Sequence, residues 1–377
     1  MGSALAYWLT RLEPSASVVV IERDPTYATA SSALSAASIR QQFTTPVNIR
    51  IAQASIEFLR AAGELLEVDG TRPDIGLTEA GYLFLAGEAG VESLRRAHAI
   101  QTQHGAAVAL LTPAQLAERF PWLETADLAA GTFGLQGEGW FDGYLLLTAL
   151  GRKARSQRVR YVRGEVTGLE IRERRIVAVG LADGSRIACG HFVNAAGPWA
   201  RAIAHLAGVD LPVFARRRTV YVVACRAQLQ PFPLLIDPSG FWMRPEGSGF
   251  IAGLPPGAED PDDAPLEPEY EGFESSLWPA LAARIPAFEA AKLQRAWAGY
   301  YEMNVFDHNG VLGWHPEIAN FGFMNGFSGH GMQQGPVVGR GMAELIIHGR
   351  FASVDLTPLA YERLVAGQPL LELNIIG

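Results

Sequence analysis

The feature that most constrains the fold is a helix that feeds directly into an apolar strand closed by an acid. Ala4, Leu5, Trp8, Leu9 and Leu12 recur at helical spacing, and Pro14 with Ser15 ends that pattern. Ser17 to Ile21 (SVVVI) follows as a β-branched run of the kind buried on both faces of a parallel sheet, ending in Glu22, Arg23 and Asp24. Glu22 stands twenty residues after Gly2, about the separation at which an acidic side chain accepts hydrogen bonds from the ribose of a dinucleotide. The plain alternative at this point is a solvated strand-end glutamate beside Arg23. The dinucleotide fingerprint reads strand, G-x-G-x-x-G, helix, whereas Met1-Gly2-Ser3-Ala4 stands where its third glycine would lie. The expectation is therefore a clipped sequence, or a start assigned at an internal methionine, with the first strand and two glycines missing. The alternative is an ordinary N-terminal helix.

The rest of the chain bounds the class. A length of 377 residues suits two interleaved or sequential domains, and 49% apolar against 19% charged residues excludes extended disorder. A net charge of -8, from 31 basic and 39 acidic residues, removes the electrostatic footprint of a nucleic-acid binder. Two cysteines, Cys189 and Cys225, cannot build a disulfide framework or a four-cysteine metal site, so no metal is expected and a reducing compartment is. The cytoplasm is the expected location, with a peripheral place at the inner membrane as a variant. No apolar stretch is long enough for a transmembrane segment. Only Lys153 and Lys292 are lysines, so a mechanism that needs one has two candidates.

Further along, Pro46 to Leu66 reads as a long amphipathic helix after a small-residue loop from Ala28 to Ser38. Gly81 to Ala86, Val108 to Leu111 and Gly131 to Leu135 read as strands around helices at Val91 to His104 and Pro113 to Arg119. Tight hairpins follow between Val159 and Ala188, turning at Arg172 to Arg175 and at Asp183-Gly184. Strands dominate from Leu211 to Gly253, Pro255 to Pro268 reads as an acidic, proline-rich surface loop, and the last third ends in a helix from Pro336 to His348.

Two glycine-bearing turns carry the chemistry. Val193 to Ala200 (VNAAGPWA) joins an apolar strand to a helix through Gly197, with Pro198 where the helical N–H is dispensable. Alone it could be an ordinary turn; together with Glu22 it signals a flavoprotein. Asn325 to Arg340 (NGFSGHGMQQGPVVGR) packs Gly326, Gly329, Gly331 and Gly335 just before a helix. Hydride transfer to a flavin leaves negative charge on the pyrimidine side of its ring, which a glycine-lined loop and a helix N-terminus stabilise. His330 sits in that loop. A flexible surface loop is the alternative, against which Phe327, Met332 and Val337 supply apolar anchors.

Taken together these motifs resemble the D-amino-acid oxidase and sarcosine-oxidase superfamily of FAD enzymes, over essentially the whole chain. SAASIRQQF, RRRTVYVV, NVFDHNGVLGWHP, GFSGHGMQQGPVVGRGMAELIIHGRF and LELNII point to one subfamily. The resemblance implies an α/β fold: a glutathione-reductase-like FAD-binding domain with a parallel sheet, from residues 1–75, 139–212 and 307–377. An α+β substrate domain with a mainly antiparallel sheet is implied for 76–138 and 213–306. Carried over by position, Gly2, Glu22, Arg23, Ser32, Val166, Ala196, Gly197 and Gly329 to Gln333 (Gly329, His330, Gly331, Met332, Gln333) are the implied FAD contacts. Arg40, Tyr301 and His330 are the implied catalytic set. Arg40 would pair with a substrate carboxylate, the alternative being a surface arginine on a loop, and Tyr301 would wall the cavity.

Departures from the family qualify this. Gln333 stands where simple sarcosine oxidases carry a lysine, so the second cationic anchor is expected to be absent. Relatives that attach FAD covalently use a cysteine near Gly299 or a histidine near Ser35; neither is present, so FAD is expected to be non-covalent. No lysine accompanies the flavin motifs, which favours a dehydrogenase over an oxidase. The expected partners are a small amine or amino-acid substrate and an electron acceptor such as a quinone or carrier protein. A second reading, implied by the subfamily, is a flavin-binding assembly or scaffold factor for a respiratory complex with little turnover.

Overall fold

A computed structural model describes residues 1–227, 229–257 and 259–373. The expected last FAD segment therefore extends, at 374–377, outside the described residues. The first helix, Gly2–Leu12, buries Ala4 to Trp8 against the long helix Gly331–His348 and the helix Gly143–Ser156. Close approach of the first pair requires Gly339, where a Cβ would stand 2.8 Å from Ala4. The Trp8 indole then donates to the Pro336 carbonyl at 2.8 Å.

Behind this helical layer lie short strands. Val19–Glu22 pairs in parallel with Arg160–Arg163, and Phe192–Asn194 pairs in parallel with Phe321–Asn325. Val311–Trp314 joins the latter pair antiparallel. Among the described residues no strand pairs with the second edge of Val19–Glu22 or of Phe192–Asn194, although Val20 and Val193 pack against the same apolar cluster. Val19–Glu22, read as buried on both faces, is consequently half-buried throughout.

The second structural body is an eight-stranded sheet. Its order runs Lys292–Asn304, Val213–Ala224, Gly249–Gly253, Trp242–Glu246, Leu234–Ile236, Tyr82–Ala86, Ala130–Gly134, Val108–Leu111. Every pairing is antiparallel except that of Leu234–Ile236 with Tyr82–Ala86. One face buries an aromatic core that includes Phe120, Phe133, Phe232, Phe250 and Phe288. The acidic loop after Leu254 lies along Val213–Ala224 through Asp260, paired with Arg218, and Asp262, paired with Arg216.

The sequence reading also needs correction in its helices, where the segment read as a small-residue loop from Ala28 to Ser38 holds a short helix, Ser31–Leu34. The last long helix begins at Gly331, not near Pro336, so part of the glycine-rich loop is its first turn and Pro336 lies inside it. The helix from Pro46 ends at Arg60, followed by a separate short turn, Ala62–Leu65. The helix Gly143–Ser156 escaped the periodicity reading, although Asp142 caps it by accepting from Leu145 N at 2.8 Å. The hairpin at Arg172–Arg175 is as expected: Glu173 and Arg174 both have positive φ, 48° and 60°, the primed geometry that suits strand twist. No described helix is long and apolar enough to cross a membrane.

Candidate functional site

The glycine-bearing turns read separately from the sequence converge. A Cβ on Gly2 would stand 3.9 Å from that of Ala195, and one on Gly197 would stand 4.0 Å from Glu302 Oε2. A Cβ on Gly331 would meet Glu302 Oε1 at 3.4 Å and Met1 Cε at 3.5 Å. These turns lie beside one end of a cleft that runs between the helical layer and the large sheet and is lined there by Met1, Ser3 and Gly331. Both the first helix and the helix from Gly331 open at this cleft with no side-chain cap. Their leading N–H groups lack intrahelical partners, and the two helix dipoles add positive potential at the same place. Ser3, Ser31 and Ser32 line the cleft, and Ser31 Oγ is buried with no hydrogen-bond partner among the described residues.

The acid that closes the SVVVI segment lies beside this end but does not line the cleft. Glu22 is half-buried and accepts from Asp24 N at 2.9 Å. Burial pushes its carboxyl upward, and Tyr27 feels its charge while hydrogen-bonding Ser3 of the cleft wall. Arg23 lies 4.4 Å over the Trp199 ring and 3.8 Å from Glu165. Val166 opens the strand Val166–Arg172, outside the cleft lining, as do Ala196 and Gly197 at the turn after Phe192–Asn194.

The other end of the cleft gathers the implied catalytic residues. Arg40 is 1% exposed, so the surface-arginine alternative is excluded. Its backbone N–H donates to Gln333 Oε1 at 3.0 Å, and its guanidinium donates to the Gln42 carbonyl and to His330 Nε2 at 3.0 Å. Arginine can only donate, so His330 Nε2 is the acceptor and its proton resides on Nδ1. Burial first, then the Arg40 charge, depress the imidazole to about 3, which keeps it neutral. Phe43 packs against both, 4.0 Å below the guanidinium and 5.0 Å from the imidazole centroid.

Tyr301 is half-buried along the same wall, and desolvation pushes its phenol up. A Cβ on Gly329, whose φ is 89°, would stand 2.5 Å from the Tyr301 ring, so this glycine is required for contact between loop and wall. Tyr82, whose hydroxyl donates to Ser38 Oγ, and Trp242 complete an aromatic surround.

Sequence reasoning missed four groups here. Arg218 lines the cleft, 5.3 Å from the Tyr301 ring centroid, and pairs with Asp260 at 2.8 and 3.0 Å. Gln333, which stands where simple sarcosine oxidases carry a lysine, accepts from the Arg40 backbone N–H, and the large sheet brings a second guanidinium, that of Arg218, to the cleft wall with Asp260 as its partner. The only available signal was alternation in RRRTVYVV, which puts Arg216 and Arg218 on one face. Glu138, 1% exposed, accepts from Gln41 N at 2.6 Å and Gln42 Nε2 at 2.9 Å, and burial raises it to about 7. Burial raises Glu302 to about 7 as well. Glu372, near the end of the chain, is also buried beside this site. No local spacing announces these three glutamates.

Comparison with known proteins agrees with this geometry. A family model described as FAD dependent oxidoreductase matches residues 1–345. FAD-dependent oxidoreductase domain-containing protein 1 of Xenopus laevis is 42% identical, the match covering 100% of this chain and 83% of that protein. Mitochondrial sarcosine dehydrogenase of Homo sapiens is 28% identical over 73% of this chain and 31% of its own length. The crystal structure of L-proline dehydrogenase from P. horikoshii superposes with a TM-score of 0.85 at 26% identity, covering 97% of this chain and 96% of that one. The cleft fits FAD. It offers two uncapped helix N-termini for anionic groups, the unpartnered Ser31 Oγ for a polar one, and apolar walls for a ring system.

Proposed function

The chain belongs to the family of FAD-dependent oxidoreductases, and from that premise we propose that it oxidises the C–N bond of an amino acid or a carboxylate-bearing secondary amine. The observation that carries the reading is the buried Arg40 at the aromatic end of the cleft, beside His330 at the N-terminus of the helix Gly331–His348.

When bound, FAD supplies a two-electron acceptor for the hydride leaving the substrate carbon. The Arg40 guanidinium binds the substrate carboxylate and sets the position of the adjacent C–H. Tyr82, Trp242 and Tyr301 exclude water from that carbon. The substrate amine must be neutral for the transfer, its nitrogen giving up a proton as the imine forms; water then hydrolyses the imine. His330, neutral and tied to Arg40, holds the guanidinium in place without adding a second charge. The N-terminus of the helix from Gly331 favours negative charge at the cleft.

Ser35 and Gly299 both line the cleft and offer no cysteine or histidine nucleophile, which supports non-covalent FAD. Neither lysine lines it: Lys153 donates to the Glu67 carbonyl and Lys292 is exposed. That supports a dehydrogenase that passes electrons to a quinone or carrier protein. Residues 1–75, 139–212 and 307–377 would bind FAD, and 76–138 with 213–306 would cover the substrate.

The test is anaerobic mixing of the FAD-loaded protein with a panel of N-methylated and cyclic amino acids, N-methylglycine and L-proline among them. Bleaching of the flavin by at least one member is expected. Flavin that stays oxidised across the panel, in protein that co-purifies with respiratory subunits, would favour the assembly or scaffold role instead.

A further inference from the structure

The segment that carries Arg40 is held by the end of the chain, beyond the part matched by the family model. Glu372 reaches the N-terminus of the helix Pro46–Arg60 and there accepts five hydrogen bonds. Thr44 donates its N–H at 2.8 Å and its hydroxyl at 2.7 Å, Thr45 its N–H at 3.1 Å and its hydroxyl at 2.8 Å, and Asn48 its amide at 3.2 Å. The tail is itself fastened. Leu370 N donates to Asp307 Oδ2 at 3.0 Å, Asn309 Nδ2 donates to the Leu370 carbonyl at 2.5 Å, and Leu373 N donates to Thr44 Oγ1 at 3.0 Å. Phe43, next to Thr44, is the ring against which both Arg40 and His330 pack.

So anchored, Glu372 is 1% exposed, and its side chain cannot swing out to solvent without breaking that set. Hydrogen bonds to the charged form and the Arg40 guanidinium outweigh burial and hold the carboxyl below its usual range, so it is ionised. Its charge is felt in turn by Arg40 and by His330. Glu372 is thus fixed at the N-terminus of the helix Pro46–Arg60, next to the Phe43 ring on which the guanidinium packs, and is not among the residues that line the cleft, whereas Arg40 is.

We infer that Glu372 sets the specificity of the carboxylate site: a tail carboxylate that offsets the Arg40 charge in the empty cleft and so weakens capture of simple anions. A substrate must then add contacts of its own to its carboxylate, and an anionic product leaves more readily. This inference rests on the reading of Arg40 as the carboxylate anchor.

The sign of the effect separates it from a structural role. Removing the charge leaves Arg40 buried and under-compensated, which destabilises the empty protein, yet an anion bound at Arg40 replaces what was lost. Benzoate titrated into the FAD-loaded protein, read by flavin absorbance, is the probe. With Glu372→Gln we expect benzoate to bind about tenfold tighter, and to raise the melting temperature of the variant more than that of the parent. Glu372→Asp keeps the charge and should stay within about threefold of the parent. Should Glu372→Gln fail to accumulate folded protein, production in benzoate should recover it, and failure to recover it overturns the inference. Equal or weaker benzoate binding by the glutamine variant also overturns it. If the parent binds no benzoate, or Arg40→Ala binds it as well as the parent, the Arg40 reading itself falls and takes this inference with it.

Discussion

The two ends of the cleft are built on different principles. At the end lined by Met1, Ser3 and Gly331, with the turns of Gly2 and Gly197 beside it, backbone does the work: glycines let segments approach, and helix N-termini present N–H groups that no side chain caps. At the Arg40 end, side chains do it, and each is fixed by partners distant in sequence: Gln333, His330, Glu138 and Glu372. The first construction tolerates almost any side chain that stays out of the way. The second depends on a balance of buried charges, so single substitutions are expected to cost most there.

The largest expected effect breaks the comparison if it spreads from one end to the other. Arg40→Ala should lower kcat/KM for a carboxylate substrate about a thousandfold, roughly 4 kcal/mol, while FAD content per mole of protein stays at the parent level. Loss of FAD along with activity would show that the two ends are not separable. Glu138 supplies the next effect. Its folded carboxyl is raised from 4.5 to about 7 by burial, so the folded protein holds that proton more tightly than the unfolded chain. The stability this contributes is complete below 4.5 and lost as pH climbs through about 7, on the order of 3 kcal/mol in all. Denaturant midpoints measured at pH 4.5 and pH 8 should converge in Glu138→Gln relative to the parent.

Gly329→Ala probes the junction between the ends. Its methyl must meet the Tyr301 ring in a backbone conformation with φ of 89°, and we expect a loss of about 2 kcal/mol in thermal unfolding, with weakened FAD retention. The smallest effect belongs to the backbone-built end. Ser31→Ala removes a hydroxyl that has no described partner, so stability without flavin should hold, while FAD affinity falls about fivefold, near 1 kcal/mol. A Ser31→Ala protein that loses stability but keeps FAD would contradict that assignment.

The same contrast explains what could be read in the sequence. Gly2, Gly197 and Gly329 to Gly331 were legible because a glycine before a helix states a local backbone requirement, and Gly197 and Gly331 both stand against Glu302. Tyr82–Ala86 and Val108–Leu111 were legible from apolar runs between turn residues. The start of the last long helix was misplaced because Pro336 is a familiar helix opener, yet here it lies inside a helix whose first turn is glycine-rich. Arg218 and Glu372 were not legible. Each owes its place to a partner on another segment, Asp260 for the one and Thr44 with Thr45 for the other.

The central claim is that FAD spans this cleft from the uncapped first helix to the loop around His330. A structure of the flavin-loaded protein tests it most directly. The account predicts density for the flavin ring against Gly329 to Gln333 and Tyr301, with the phosphate-bearing half at Ser3 and Ala4. Flavin density at any other place on the molecule, or a reversed cofactor with its ring at the first helix, would contradict it.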